Sequence, residues 1–82
     1  MTVAFDHYAK ISNRDLVSGR FAILSGDCEN DYHKEVLPVV PDGTTIQIDF
    51  GGDFGCYAMA DVNGILHKVK IGLTDIHKIK FL

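Results

Sequence analysis

The sequence predicts a mainly β domain, all-β or, counting one short N-terminal helix, α+β, with its strands in a small antiparallel β-barrel or roll. Three observations predict it. Thr44 to Phe50 alternates apolar and polar side chains, Val62-Asn63-Gly64-Ile65 is a tight-hairpin signal, and short apolar runs recur between turns that carry glycine or proline. All 82 residues are expected in a single small domain, residues 1–82, because a chain of this length supports one modest core.

Taken in order, Met1 to Phe5 is expected as a short strand. Ser12-Asn13-Arg14-Asp15 has the form of a capping box, in which Ser12 accepts from an early backbone amide and Asp15 reaches back, and Gly19 ends the short helix. Arg20 to Ser25 reads as a strand and Gly26-Asp27 as a turn. The run "CENDYHKEV", residues 28–36, is polar and aperiodic and is expected as an irregular loop. Pro38 and Pro41 with Asp42-Gly43 bend the chain again.

The second half specifies a meander. Asn63-Gly64 fits a type I′ turn, since both residues tolerate positive φ, and this fixes a register: Val62 faces Ile65, Ala60 faces His67, Ala58 faces Val69 and Cys56 faces Ile71. If Gly51 to Gly55 form a five-residue hairpin loop, Phe50 faces Cys56, Ile48 faces Ala58 and Ile46 faces Ala60. The two registers agree on one apolar face holding Ile46, Ile48, Phe50, Cys56, Ala58, Ala60, Val62, Ile65, Val69 and Ile71, with His67 among them as a core histidine. After a tight turn at Leu73-Thr74-Asp75, Ile76 to Phe81 is expected as a closing strand with Ile79 and Phe81 inward. Short, bent strands closed in this way suggest the SH3-like kind of small barrel.

Asp53-Phe54-Gly55 is the tripeptide that holds magnesium in protein kinases, but the chain is far too short for a kinase. Its glycines match neither a dinucleotide fingerprint nor a P-loop, and turn geometry explains them. A zinc site needs four ligands, and Cys28, His33, Cys56, His67 and His77 lack the paired short spacing that specifies one; Cys28 and His33 make at most half a site. A cysteine nucleophile needs a histidine in reach at a cleft, whereas Cys56 is expected inward and Cys28 in an acidic loop. No catalytic residue, cofactor or metal is therefore assigned.

Eleven acidic residues against eight basic ones give a net charge of −3, which offers no global attraction to nucleic acid or anionic membrane. The acids concentrate between Asp27 and Asp61, where Lys34 is the one base, while Lys68, Lys70, Lys78 and Lys80 make the C-terminal region locally basic. No stretch approaches the roughly 18 apolar residues of a membrane span, and Asp6, His7 and Lys10 stand where a secretory signal is apolar. The chain is expected to be cytoplasmic, with no membrane partner and its two cysteines reduced.

The outer face of the meander is the expected place for a partner. The registers line up Asp49, Tyr57 and Lys70 in one row and Gln47, Met59 and Lys68 in the next, with Lys78 and Lys80 on the same side. The loop Asp27-Cys28-Glu29-Asn30-Asp31, followed by Tyr32, suits a basic surface on another protein, with charge steering the encounter and Tyr32 or the Tyr57 and Met59 patch as anchor. The candidate partner-binding residues are thus Asp27, Glu29, Asp31, Tyr32, Asp49, Tyr57, Met59, Lys68 and Lys70. These features point to a non-enzymatic protein-binding module: a small acidic inhibitor, adaptor or accessory subunit. The second expectation is a small-barrel protein that binds single-stranded nucleic acid on the lysine and tyrosine face. The third is a minor structural subunit of an assembly, including a homo-oligomer joined through edge strands.

Overall fold

Asn63 and Gly64 have φ values of 54° and 81°, the pair of positive values that a type I′ turn demands, and the strands on either side pair in the expected register. The structure, a computed structural model, describes residues 18–52 and 55–82. Its strands are β1 (Phe21–Leu24), β2 (Cys28–Glu29), β3 (Val39–Val40), β4 (Thr45–Gly52), β5 (Gly55–Val62), β6 (Ile65–Gly72) and β7 (Ile79–Phe81), with a single 3₁₀ turn at Ile76–Lys78. The protein is mainly β. Among the described residues no helix is long and apolar enough to cross a membrane.

Five strands form one antiparallel sheet in the order β6-β5-β4-β1-β7, and β2 and β3 form a separate two-stranded ribbon. In the meander Val62 faces Ile65, Ala60 faces His67, Ala58 faces Val69 and Cys56 faces Ile71, while Ile46 faces Ala60 and Ile48 faces Ala58. β1 then lies between β4 and β7, with Ala22 opposite both Ile46 and Phe81.

One hydrophobic core follows from this alternation. Ile46, Ile48, Cys56, Ala58, Ala60, Val69 and Ile71 of the meander meet Ala22, Leu24, Ile76 and Ile79, and the ribbon adds Cys28 and Val40. The small side chains of β5 leave space that larger neighbours fill, the interdigitation that gives a close-packed interior. Both cysteines are buried as free thiols.

The structure corrects the sequence in several places. Among the described residues the sheet is open rather than a closed barrel: β6 and β7 are its two edges, and a place beside β6 is taken by Asn30, which bridges to Ile71. The irregular loop expected over 28–36 contains β2, because Cys28 and Glu29 pair with Val40 and Val39. Phe50 does not point inward. The register shifts between Ile48 and Phe50, so that Phe50 faces Tyr57 and Gly51 faces Cys56; Asp49 is the extra residue of a bulge, and beyond it the two faces exchange. The strands also run further than a five-residue loop allows, with Gly52 paired to Gly55.

Ile65 is 62% exposed, since it stands beside the turn at the end of the edge strand β6, and His67 is half-buried rather than a core residue. The closing strand begins at Ile79, after the 3₁₀ turn. The expected strand at Met1 to Phe5 lies outside the described residues. So does the helix opened by Ser12, except that Ser18 and Gly19 form a turn.

Candidate functional site: an aromatic and lysine patch on the outer sheet face

Because Cys56, Ala58 and Ala60 of β5 and Val69 and Ile71 of β6 are buried, the residues between them turn to the opposite face. Tyr57 is paired with Lys70, and Met59 lies between Gln47 and Lys68, so this part of both predicted rows is present. Asp49 has left its row, since the bulge puts Phe50 opposite Tyr57. Phe50, 52% exposed, stacks on Tyr57 with ring centroids 4.7 Å apart and planes 25° apart.

Tyr32 reaches this face from the ribbon side. Its ring meets Tyr57 edge-on at 6.0 Å and His33 at 4.3 Å. The Lys68 ammonium lies 5.9 Å from the centroids of both Tyr32 and Tyr57, and Lys70 lies 5.6 Å from that of Tyr57, within cation–π range. Asp49 approaches Lys68 at 3.9 Å and partly offsets its charge. The result is three aromatic rings and two ammonium groups on one surface.

Asn30 is what positions Tyr32. It is 1% exposed and both of its polar atoms are bonded: Nδ2 donates to the Leu37 carbonyl at 2.8 Å, while Oδ1 accepts from the amides of Tyr32 at 3.0 Å and Lys70 at 3.1 Å. The Asp31 amide adds a bond to the Lys70 carbonyl at 3.0 Å, and the Asn30 amide one to the Pro38 carbonyl at 3.1 Å. A single side chain thus joins the 31–37 segment to β6. Nothing in the polar run around Asn30 signals this role in the sequence. Phe50 escapes sequence reasoning for a similar reason: its apolar character suits either face, and a bulge has no local periodicity of its own.

The acidic residues do different work. Asp27 accepts from the Asp42 amide at 2.8 Å, and its carbonyl accepts from Lys78 Nζ at 2.8 Å. Glu29 lies 3.4 Å from Lys34 and donates its amide to Asp75 at 2.9 Å. Asp31 places a carboxylate oxygen against Gly72. The Asp27 carboxylate is therefore drawn into the fold's own bonding through one of its oxygens. Lys78 is withdrawn as well, held at 3.0 Å from Asp75, so the basic surface is narrower than the sequence suggests.

Burial, followed by the Asp75 carboxylate, pushes the Cys28 thiol up to about 11, and burial with Asp49 pushes Cys56 up to about 12. Thiols held this high carry almost no nucleophilic thiolate at neutral pH. Cys28 sits in the core with Sγ 3.6 Å from the Gly26 carbonyl, whereas His33 is exposed and 3.2 Å from Glu35. Among the described residues no three His, Cys, Asp or Glu side chains gather as a metal site. The chain matches no known protein family, no curated protein and no solved structure.

Proposed function

We propose that the chain is a non-enzymatic protein-binding module that holds its partner on the patch of Tyr32, Phe50, Tyr57, Lys68 and Lys70. The clustering of Tyr32 and Phe50 around Tyr57 on the solvent side of the sheet carries this reading. Rings of this kind gain from leaving water and lose little side-chain entropy, and they dominate the energetics of interfaces. The raised thiols support a role without nucleophilic catalysis. The antiparallel meander, with β1 joining it to the last strand, supports describing the scaffold as an SH3-like roll. The acidic remainder of the surface steers the encounter toward a basic surface on the partner, while the lysine and aromatic patch anchors a different segment of it.

The test is capture of partners from a nuclease-treated lysate of the source, followed by titration with the Tyr57→Ala variant. Because Tyr57 is only half-buried, the fold is expected to persist while affinity falls by about 1–3 kcal/mol. An unchanged affinity removes the patch from the interface.

A second reading rests on the Phe50 and Tyr57 stack beside two lysines, which is also a platform for an unpaired base. It predicts steeply salt-dependent binding of single-stranded oligonucleotides that Lys68→Glu with Lys70→Glu abolishes. Binding that survives both substitutions, or no binding at moderate salt, eliminates it.

A further inference from the structure

The free edge of β6 borders a groove. Lys70 turns its backbone outward, since its amide donates to Asn30 Oδ1 and its carbonyl accepts from the Asp31 amide. Backbone direction repeats every second residue in a strand, so Leu66 and Lys68 also present their N–H and C=O groups to the edge. Among the described residues no strand pairs with them there. Facing that edge across a cleft of about 210 Å³ is the 32–37 turn, so that Tyr32, Val36 and Leu37 form one wall and Leu66, His67 and Lys68 the other.

The walls have a definite chemistry. Val36 and Leu66 are each 66% exposed, large apolar side chains that a water-exposed surface gains by covering. Among the described residues no acidic side chain lines the cleft, although the molecule as a whole is acidic; the nearby Glu35 is turned to His33. Lys68 is the cation of the β6 wall, shared only loosely with Asp49 at 3.9 Å.

We infer that this groove takes an extended peptide segment of a partner as an added strand on β6, with apolar side chains against Val36 and Leu66 and a carboxylate against Lys68. Main-chain bonds to Leu66 and Lys68 supply affinity, and the alternating side chains supply selectivity, the usual division in strand addition. The site is short because Asn30 and Asp31 close the edge at Lys70. The inference rests on the protein-binding reading above and names the class of ligand.

The experiment pans a display library of random linear peptides against the full chain, then measures the enriched peptides by titration. Peptides with an apolar residue and an Asp or Glu two positions apart are expected, because Leu66 and Lys68 share one face of β6. Lys68→Pro, which removes an outward amide as well as the ammonium and no bond to β5, is expected to raise their Kd at least about tenfold, and by more than Lys68→Met, which removes the ammonium alone. Folding of the variant is checked by circular dichroism. Should it not fold, the same question is put to the native chain with peptides N-methylated at alternate residues, and methylation at one parity is expected to abolish binding. Peptides that lack acidic residues, or that bind regardless of Lys68→Pro and of methylation, overturn the inference. If such peptides still depend on Tyr57, the sheet-face reading stands without the edge; if neither peptides nor lysate proteins depend on Tyr57, both fail. A concentration-dependent dimer that Leu66→Asp dissolves assigns the edge to a second copy instead.

Discussion

Asn30 shows how much of the site depends on one uncharged side chain. Removing it leaves the amides of Tyr32 and Lys70 and the Leu37 carbonyl without their partners in a place with little water. Asn30→Ala is therefore expected to cost roughly 2–4 kcal/mol by denaturant titration, at the upper end for a single lost hydrogen-bonding group because three bonds go at once. Binding at Tyr32 should weaken even under conditions where the variant remains folded. A loss within about 0.5 kcal/mol would mean that the 31–37 segment is held by other contacts. The residue-scale lesson concerns what sequence can carry. The outward positions of Tyr57, Met59, Lys68 and Lys70 were legible, because period-2 alternation and a turn type fix parity. Asn30 was not, since its role turns on a contact to Lys70, 40 positions away, that no local pattern encodes.

The two hairpins of the meander separate what a turn determines from what packing determines. Gly64 has φ of +81°, and no described neighbour comes within 4 Å of the position a Cβ would take, so Gly64→Ala meets only the backbone cost of a left-handed residue, about 1–2 kcal/mol. Gly55 combines φ of +134° with a position where a Cβ would run into the Ile71 carbonyl oxygen and the Gly72 Cα. Gly55→Ala is expected to cost at least about 3 kcal/mol, because strain adds to a collision with backbone that has no room to yield. Urea midpoints of the two variants test the difference; equal losses would mean that β5 and β6 can part locally at Gly55. The Asn63-Gly64 turn and its register were readable because the turn chemistry is specific. The bulge at Asp49 was not, since the alternation through Thr45, Ile46, Gln47 and Ile48 continues into Phe50 as though nothing intervened.

For the whole molecule, a small clasp ties the ribbon to the C-terminal turn. Asp75 accepts from the Glu29 amide and pairs with Lys78, which in turn donates to the Asp27 carbonyl. Burial pushes the Asp75 carboxyl up, but the Glu29 amide, the bond from Lys78 and its charge outweigh this and hold it below its ordinary value. A depressed native pKa means that the unfolded chain binds the proton more readily. The clasp's stability is thus fully present above the unfolded carboxyl value of about 3.9 and is lost as pH falls through the lower native value. The melting temperature is expected to drop in that acid range, and Asp75→Asn should lower it at neutral pH while flattening the acid-side fall; an unchanged slope would place the acid sensitivity elsewhere. Mainly β architecture and the meander were foreseeable, whereas the open edge and the clasp come from long-range closure that only the folded chain reveals. That closure has a consequence in time. Tyr32 and Tyr57 stand on segments joined through a loop of some forty residues between Asn30 and Lys70, and such distant contacts are slow to form because the chain entropy is lost before the contact is gained. The binding surface is accordingly complete only once that contact has closed, and a partner that grips it shifts the folding equilibrium toward the native state in proportion to its own concentration.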